Sequence, residues 1–210
     1  MPLRTLAPHL ISDIPVFKAA ELKTAPSGES WRIESLVGIL AEISEETASG
    51  AVSFAADIIA DAQDHNYPVA WVAGADSIFF PPDLAAHGID LAAVTVIRAG
   101  GENDSLSAAE WLVRSGALGL VIIDAEGEWN VSDSSLGRLL KLAERSQTAV
   151  VFLTRKRCTD PSLGSRISVR GSIMRSGMGP FHVVIHSVKD KRAHAGSRQG
   201  RQYNGPPGMH

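Results

Sequence analysis

The chain has 210 residues, of which 44% are hydrophobic and 20% charged, with a formal net charge of -3; this is ordinary globular composition, long enough to bury one core of α/β size. No apolar run reaches the roughly 18 residues a membrane-spanning helix needs, and MPLRTLAPHLISDIPVF at the amino terminus lacks the unbroken apolar stretch of a secretory signal, so a cytoplasmic location is expected. The single cysteine, Cys158, excludes an intrachain disulfide and a thiolate cluster, which fits a reducing compartment.

Residues 1–35 show no sustained periodicity and contain the Pro/Gly/Ser break TAPSGES, as expected of an extended arm. From residue 36 the pattern alternates. GILAEI reads as a strand, AVSFAADIIADAQDH as a helix, PVAWVAG as a strand, PPDLAAHG as a short helix and AVTVIR as a strand. SLSAAEWLVRSGA (helix), LGLVIID (strand), SSLGRLLKLAERS (helix) and TAVVFLT (strand) follow. Short, continuous apolar runs joined by helical crossovers predict a mostly parallel sheet covered on both faces. SRISVRGSIM and PFHVVIHSVKDKR, separated by Gly and Pro, suit an antiparallel extension of the sheet edge. The expected organisation is an arm at 1–35, a core domain at 36–192 and a flexible tail at 193–210, whose sequence AHAGSRQGRQYNGPPGMH is polar and Gly-rich.

The loop between the first strand and the first long helix invites a chemical reading. A phosphate-binding loop, GxxxxGK[ST], needs glycines for close backbone approach, a Lys for the β and γ oxygens and a hydroxyl for magnesium. Residues 45–52 read EETASGAV: Glu45 replaces the first Gly, Gly50 keeps the second, Ala51 replaces the Lys and Val52 the hydroxyl residue. Losing a charge-assisted hydrogen bond costs roughly 1.5–3 kcal/mol, and Glu45 and Glu46 put negative charge where a polyanion would sit. ATP binding is therefore not expected. The alternative is a plain strand-to-helix turn that never held a nucleotide.

Charge is divided unevenly along the chain. Residues 1–154 carry 9 Lys and Arg against 21 Asp and Glu, and residues 155–210 carry 11 against 2. The basic end is a candidate for contact with nucleic acid or an acidic protein surface, or is a solvated positive edge.

LVRSGALGLVIIDAEG, residues 112–127, resembles the RecA segment in which a helix ending ARSGA leads into the strand with the magnesium-linked Asp, and Asp124 falls on that Asp. GILAEI, IIADAQ and AVVFLTRKR resemble RecA in order and spacing, so the likeness covers roughly residues 36–157. VVIHSVKDKR, residues 183–192, is similar to the ending of ImuA-type proteins, RecA relatives encoded with a polymerase-like partner and an error-prone polymerase in bacterial mutagenesis cassettes. The chain thus resembles the ImuA family. The resemblance implies an α/β fold with a RecA-like core: a mostly parallel twisted sheet, helices on both faces and an antiparallel carboxy-terminal edge.

Transferred residue by residue, the resemblance leaves Glu45, Ala51 and Val52 at nucleotide-contact positions with unsuitable chemistry. The water-activating acid of RecA falls at Ala75 or Asp76, which assigns no base. Asp124, without Lys and hydroxyl partners, has no phosphate-bound magnesium to hold and is expected to be structural. RKRCTDPSLGSRISVRG, residues 155–171, lies where RecA carries a mobile DNA-binding loop; Arg155, Lys156, Arg157, Arg166 and Arg170 are candidate phosphate or partner contacts, with no interleaved aromatic to stack on bases. Lys189, Lys191 and Arg192 form a second cluster, alternatively the charge protection of an edge strand. In the arm, Phe17 and Ala20 of FKAA match the FxxA pattern by which recombinases of this class dock on a neighbour, or form an ordinary amphipathic turn. Cys158 lies beside cations but has no base or resolving partner in view, and His182 and His186 offer no third ligand, so neither a reactive thiol nor a metal site is expected.

The resemblance therefore implies a pseudo-ATPase without cofactor that acts in DNA-damage tolerance and translesion mutagenesis. Its implied partners are RecA, whose filaments it would modulate by inhibition, the polymerase-like ImuB protein and an error-prone polymerase, with DNA a further candidate. Two alternatives stay open: a SulA-type division inhibitor that binds FtsZ, and an ATPase with an aberrant loop.

Overall fold

The computed structural model describes residues 31–46, 50–75, 77, 81–85, 87–125, 129–177, 181–192 and 196–203. Phe17, Ala20 and Asp76 lie outside them. The apolar runs become the inner strands β1 (Leu40–Glu45), β2 (Val69–Ala73), β4 (Leu120–Ala125) and β5 (Ala149–Arg155), joined by β3 (Val94–Arg98), β6 (Val169–Ser176), β7 (Phe181–Asp190) and β8 (Arg198–Tyr203). They form an eight-stranded sheet in the order β3-β2-β4-β5-β1-β6-β7-β8. Pairings from β3 to β6 are parallel, and β6-β7-β8 are antiparallel. The mixed α/β architecture expected from the pattern is the one observed.

Continuous apolar strands follow from cover on both faces. Along β1, Leu40 packs into one layer while Ala41 and Ile43 pack into the other. The first layer holds α1 (Ile33–Leu36), α2 (Ala51–Asp64) and α3 (Pro81–Ala85); α2 contributes Phe54, Ala55, Ile58, Ile59 and Ala62, the spacing of one helical face. The second holds α4 (Glu102–Arg114), through Leu106, Ala109 and Val113, and α5 (Asp133–Ser146), through Leu136, Leu139 and Ala143. Ser132 caps α5 by accepting from Ser135 N at 3.1 Å, and Gln147 closes it in the left-handed region. Because the strands from β3 to β6 run parallel, all end at one edge of the sheet, which is where α/β proteins place their sites. Among the described residues no helix is long and apolar enough to cross a membrane.

Two boundaries differ from expectation. The end of the arm belongs to the core: Trp31 and Ile33 are buried, Trp31 meets Phe54 edge-on at 5.8 Å, and Asp61 accepts from Ile33 N and Arg32 Nη1, both at 2.7 Å. The expected flexible tail contains β8, whose sequence RQGRQY has little strand propensity. Tertiary contacts supply what propensity lacks. Tyr203 stacks on Phe181 with ring centroids 5.5 Å apart and donates its hydroxyl to Asp57 of α2, while Arg201 Nη1 pairs with the same carboxylate at 2.7 Å.

Burial opposes ionisation of Asp57, but the bonds from His87 and Tyr203 and the charge of Arg201 outweigh it, so its carboxyl titrates below the ordinary 3.8. A carboxylate with a lowered folded pKa stabilises fully above its unfolded value and loses that contribution as pH falls through the folded one. Tyr203→Phe should cost about 1 kcal/mol in urea melts at neutral pH. The acid-side loss of stability, below about pH 4, should be smaller in Asp57→Asn than in the parent; equal acid slopes would show that Asp57 does not anchor β8.

Candidate functional site

The edge where β1, β4 and β5 end brings together Glu45, Ala51, Val52, Asp124, Leu153, Thr154 and Arg155. The first long crossover helix, α2, begins here without a side-chain cap from its own N-cap residue, Gly50. A helix start leaves backbone N–H groups without intrahelical partners and carries partial positive charge, which makes it an anion site. Glu45, at the last position of β1 and only 8% exposed, fills that role: its Oε2 accepts from the N–H of Gly50 and of Ala51, each at 2.9 Å. The carboxylate that replaces the first glycine of a phosphate loop thus occupies donors that such a loop would offer to phosphate. The cleft beside it encloses about 10 Å³, room for roughly one water, against the ~300–1,000 Å³ of a small-molecule pocket.

Gly50 has a packing reason of its own. A Cβ there would lie 2.5 Å from Ile173 Cγ2, so α2 can start this close to β6 only with a glycine. Ala51 is buried, Val52 half-buried and Glu46 exposed. Asp124, 2% exposed at the end of β4, accepts from Ser77 Oγ at 2.5 Å, a side-chain partner rather than the loop backbone expected from sequence. Ala75 is exposed and supplies no acid.

The segment after β5 is folded onto the other face of β1 and β6 by a buried polar network. Glu42, fully buried on β1, accepts from Thr154 Oγ1 and from Leu163 N, each at 2.9 Å, with Lys156 Nζ at 3.4 Å and Arg170 Nε at 3.9 Å. Arg170 donates Nε and Nη2 to Ser44 Oγ at 3.2 and 3.1 Å, Nη2 to the carbonyl of Arg157 at 2.8 Å, and Nη1 to that of Asp160. Lys189 Nζ reaches Ser162 Oγ at 3.1 Å and Gly164 O at 3.2 Å. Burial and the nearby cations Lys191 and Arg170 hold this ammonium below its usual pKa, against the pull of Glu42. Leu163 and Ile167 drop from the same segment into the second core layer.

This corrects the expected basic surface. Arg170, 1% exposed, is an interior group whose donors face backbone carbonyls, Ser44 and Glu42, so it presents no guanidinium to a phosphate at the surface. Lys156 and Lys189 are half-buried and bonded to the same segment. Arg155, Arg157, Arg166, Lys191 and Arg192 remain exposed, with Arg166 paired to Asp133 at 3.3 Å and Arg192 donating to the carbonyl of Ser35. Sequence reading missed Glu42, Ser44 and Ser77; a carboxylate inside an apolar strand run, GILAEI, was the available signal for the first.

His182 is exposed and His186 half-buried, Cys158 is exposed and unbridged, and among the described residues no cluster of His, Cys, Asp or Glu is arranged to hold a metal.

Breaking a buried ion pair from one side is expensive because the other charge stays buried. Arg170→Met should therefore lose about 3–5 kcal/mol of stability, and Glu42→Met with Arg170→Met should recover most of it in urea melts. Glu45→Ala should lose about 1–2 kcal/mol through the two uncapped donors; no loss would mean that the carboxylate does not cap α2.

No protein-family model matches the chain. Among curated proteins it is similar to the RecA proteins of Chlorobium chlorochromatii (32% identity over 125 residues, 54% of this chain and 35% of that one) and Chlorobaculum tepidum (32% over 132 residues, 58% and 38%). It is also similar to that of Corynebacterium urealyticum (31% over 128 residues, 56% and 34%). The chain spans a little over a third of the length of these relatives. The distant, partial similarity and the mixed sheet together support a RecA-like relationship.

Proposed function

We propose that this chain is a RecA-like binding module that does not turn over ATP and acts in DNA-damage tolerance by docking on RecA filaments and restraining their growth. The observation that carries this reading is the pair of 2.9 Å bonds from Gly50 N and Ala51 N to Glu45. A nucleotide phosphate would have to displace a charge-assisted cap without a lysine or hydroxyl in return, since Ala51 and Val52 stand at those positions. A domain that keeps a RecA-like sheet without an ATP-dependent cycle suits a regulator that offers one compatible face and blocks addition of the next subunit. The ImuA-like ending at residues 183–192 favours a setting in translesion mutagenesis, with the ImuB-type polymerase-like protein and an error-prone polymerase as further partners.

The test is RecA filament assembly on single-stranded DNA, followed by light scattering and strand exchange, with phosphate release by the chain alone measured in parallel. The expected result is slower or shorter filament growth, saturating near stoichiometric amounts, and no release by the chain above the blank. Unchanged assembly and strand exchange at excess chain would overturn the RecA reading. Turnover that vanished in Asp124→Ala would instead make the chain an ATPase.

A further inference from the structure

The strands β6, β7 and β8 carry a sheet face that no described helix covers. In register, one side of this extension presents three rows: Ser172, His186 and Arg198; Met174, Val184 and Gly200; and Ser176, His182 and Gln202. None of these residues belongs to either apolar core. The second-layer helices α4 and α5 pack over the other strands, and the segment 155–168 stops at β1 and the beginning of β6. Met174 is consequently 40% exposed, and Val184 is half-buried with no core partner on this side. The outer edge of β8 pairs with no strand among the described residues.

The charge of this face has one sign. Its nine positions hold an arginine, two histidines and no carboxylate. The two acids of residues 155–203 are engaged elsewhere, Asp160 with Arg157 N at 2.9 Å and Asp190 with Arg192 N at 2.8 Å. Burial and the neighbouring Arg198 hold the His186 imidazole below its usual pKa, so Arg198 supplies the charge of that row near neutral pH. Without an aromatic ring among its nine positions, the face lacks the stacking platform of a single-strand nucleic-acid binder.

We infer that β8 accepts an extended acidic segment of a partner protein as a ninth strand, with an apolar side chain lying over Gly200 onto Val184 and Met174 and a carboxylate opposite Arg198. The geometry of strand addition gives this arrangement. Main-chain bonds along the edge set the register, and side chains two residues apart fall on the same face, one beside Gly200 and the next beside Arg198. A glycine in an edge strand leaves its cross-strand neighbour free to lean across it. Opposite charges directly across a strand pair attract while like charges repel, so Arg198 selects an acidic strand over a basic one. On the other side of β8, Arg201 and Tyr203 are already committed to Asp57, which keeps the edge in place for the incoming strand. The inference goes beyond the RecA reading and does not depend on it: a chain that left RecA untouched would still have to bind the probe below.

The probe is a synthetic peptide with a central phenylalanine, a glutamate two residues away on each side and threonines between, followed by fluorescence anisotropy against the full chain. Saturable binding is expected. It should weaken at least about tenfold in Arg198→Glu and in Met174→Glu and on raising salt from roughly 0.05 to 0.5 M, and should persist in Val96→Glu on β3, the opposite sheet edge. Both β8-side variants alter exposed positions, and an unchanged thermal melt checks that they fold. Failure of the glutamate peptide to bind, equal binding to parent and Arg198→Glu, or equal binding by the peptide with lysines in place of glutamates would overturn the inference. Displacement of the peptide by oligo-dT would overturn it too, in favour of nucleic acid.

Discussion

A carboxylate placed where a helix begins determines most of what this fold can do. The strands from β3 to β6 all end at one edge, so β1 delivers Glu45 directly beneath the start of α2. In a parallel α/β sheet that point is where backbone donors and the helix dipole attract an anion. Here the anion is covalently part of the chain. The local concentration of such a side chain is far above that of any nucleotide in solution, and the cleft left beside it has space for little more than water. The same contact tightens the packing of the element: Gly50 lies against Ile173, so α2, β1 and β6 meet with no gap at the point where a nucleotide loop would need one.

A second carboxylate on the same strand, Glu42, organises the opposite face. With Arg170 it forms an internal pair whose remaining donors and acceptors go to Ser44, Thr154, Leu163 N and the carbonyls of Arg157 and Asp160. Buried charges survive only when hydrogen-bonded on all sides, and here the satisfaction comes from the segment after β5, which is thereby fastened to the sheet. The basic end of the chain thus divides into cations spent on structure, Arg170 and the half-buried Lys156 and Lys189, and cations left at the surface, Arg155, Arg157 and Lys191 among them. Positive charge counted along the sequence overstates what a partner would meet.

Much of the fold was legible because apolar runs and helical spacing are local signals. VAWVA and LVIIDA can be strands only where both faces are covered, and AVSFAADIIADA has a single apolar face. The strand β8 was not legible, because RQGRQY takes its strand form from Tyr203 on Phe181 and from Asp57, partners distant in the chain. The distinction between Arg170 and its neighbours was hidden for the same reason: nothing in SVRG shows that Glu42 and Ser44 lie across from it. At the loop, the loss of Lys and hydroxyl at Ala51 and Val52 could be read directly, whereas the active role of Glu45 as a cap emerges only from its two bonds.

A RecA-like sheet with a self-capped helix start is suited to binding without turnover, and its uncovered side at β6-β7-β8 gives it surface for an additional contact. The most direct measurement of the central claim is a nitrogen-15 NMR titration of the full chain with magnesium ATP, reading the amides of Gly50 and Ala51. With Glu45 seated on these two donors, their resonances should stay in place at millimolar nucleotide. Saturable shifts confined to Gly50, Ala51 and the end of β4 would show that phosphate displaces the carboxylate, and would contradict the account.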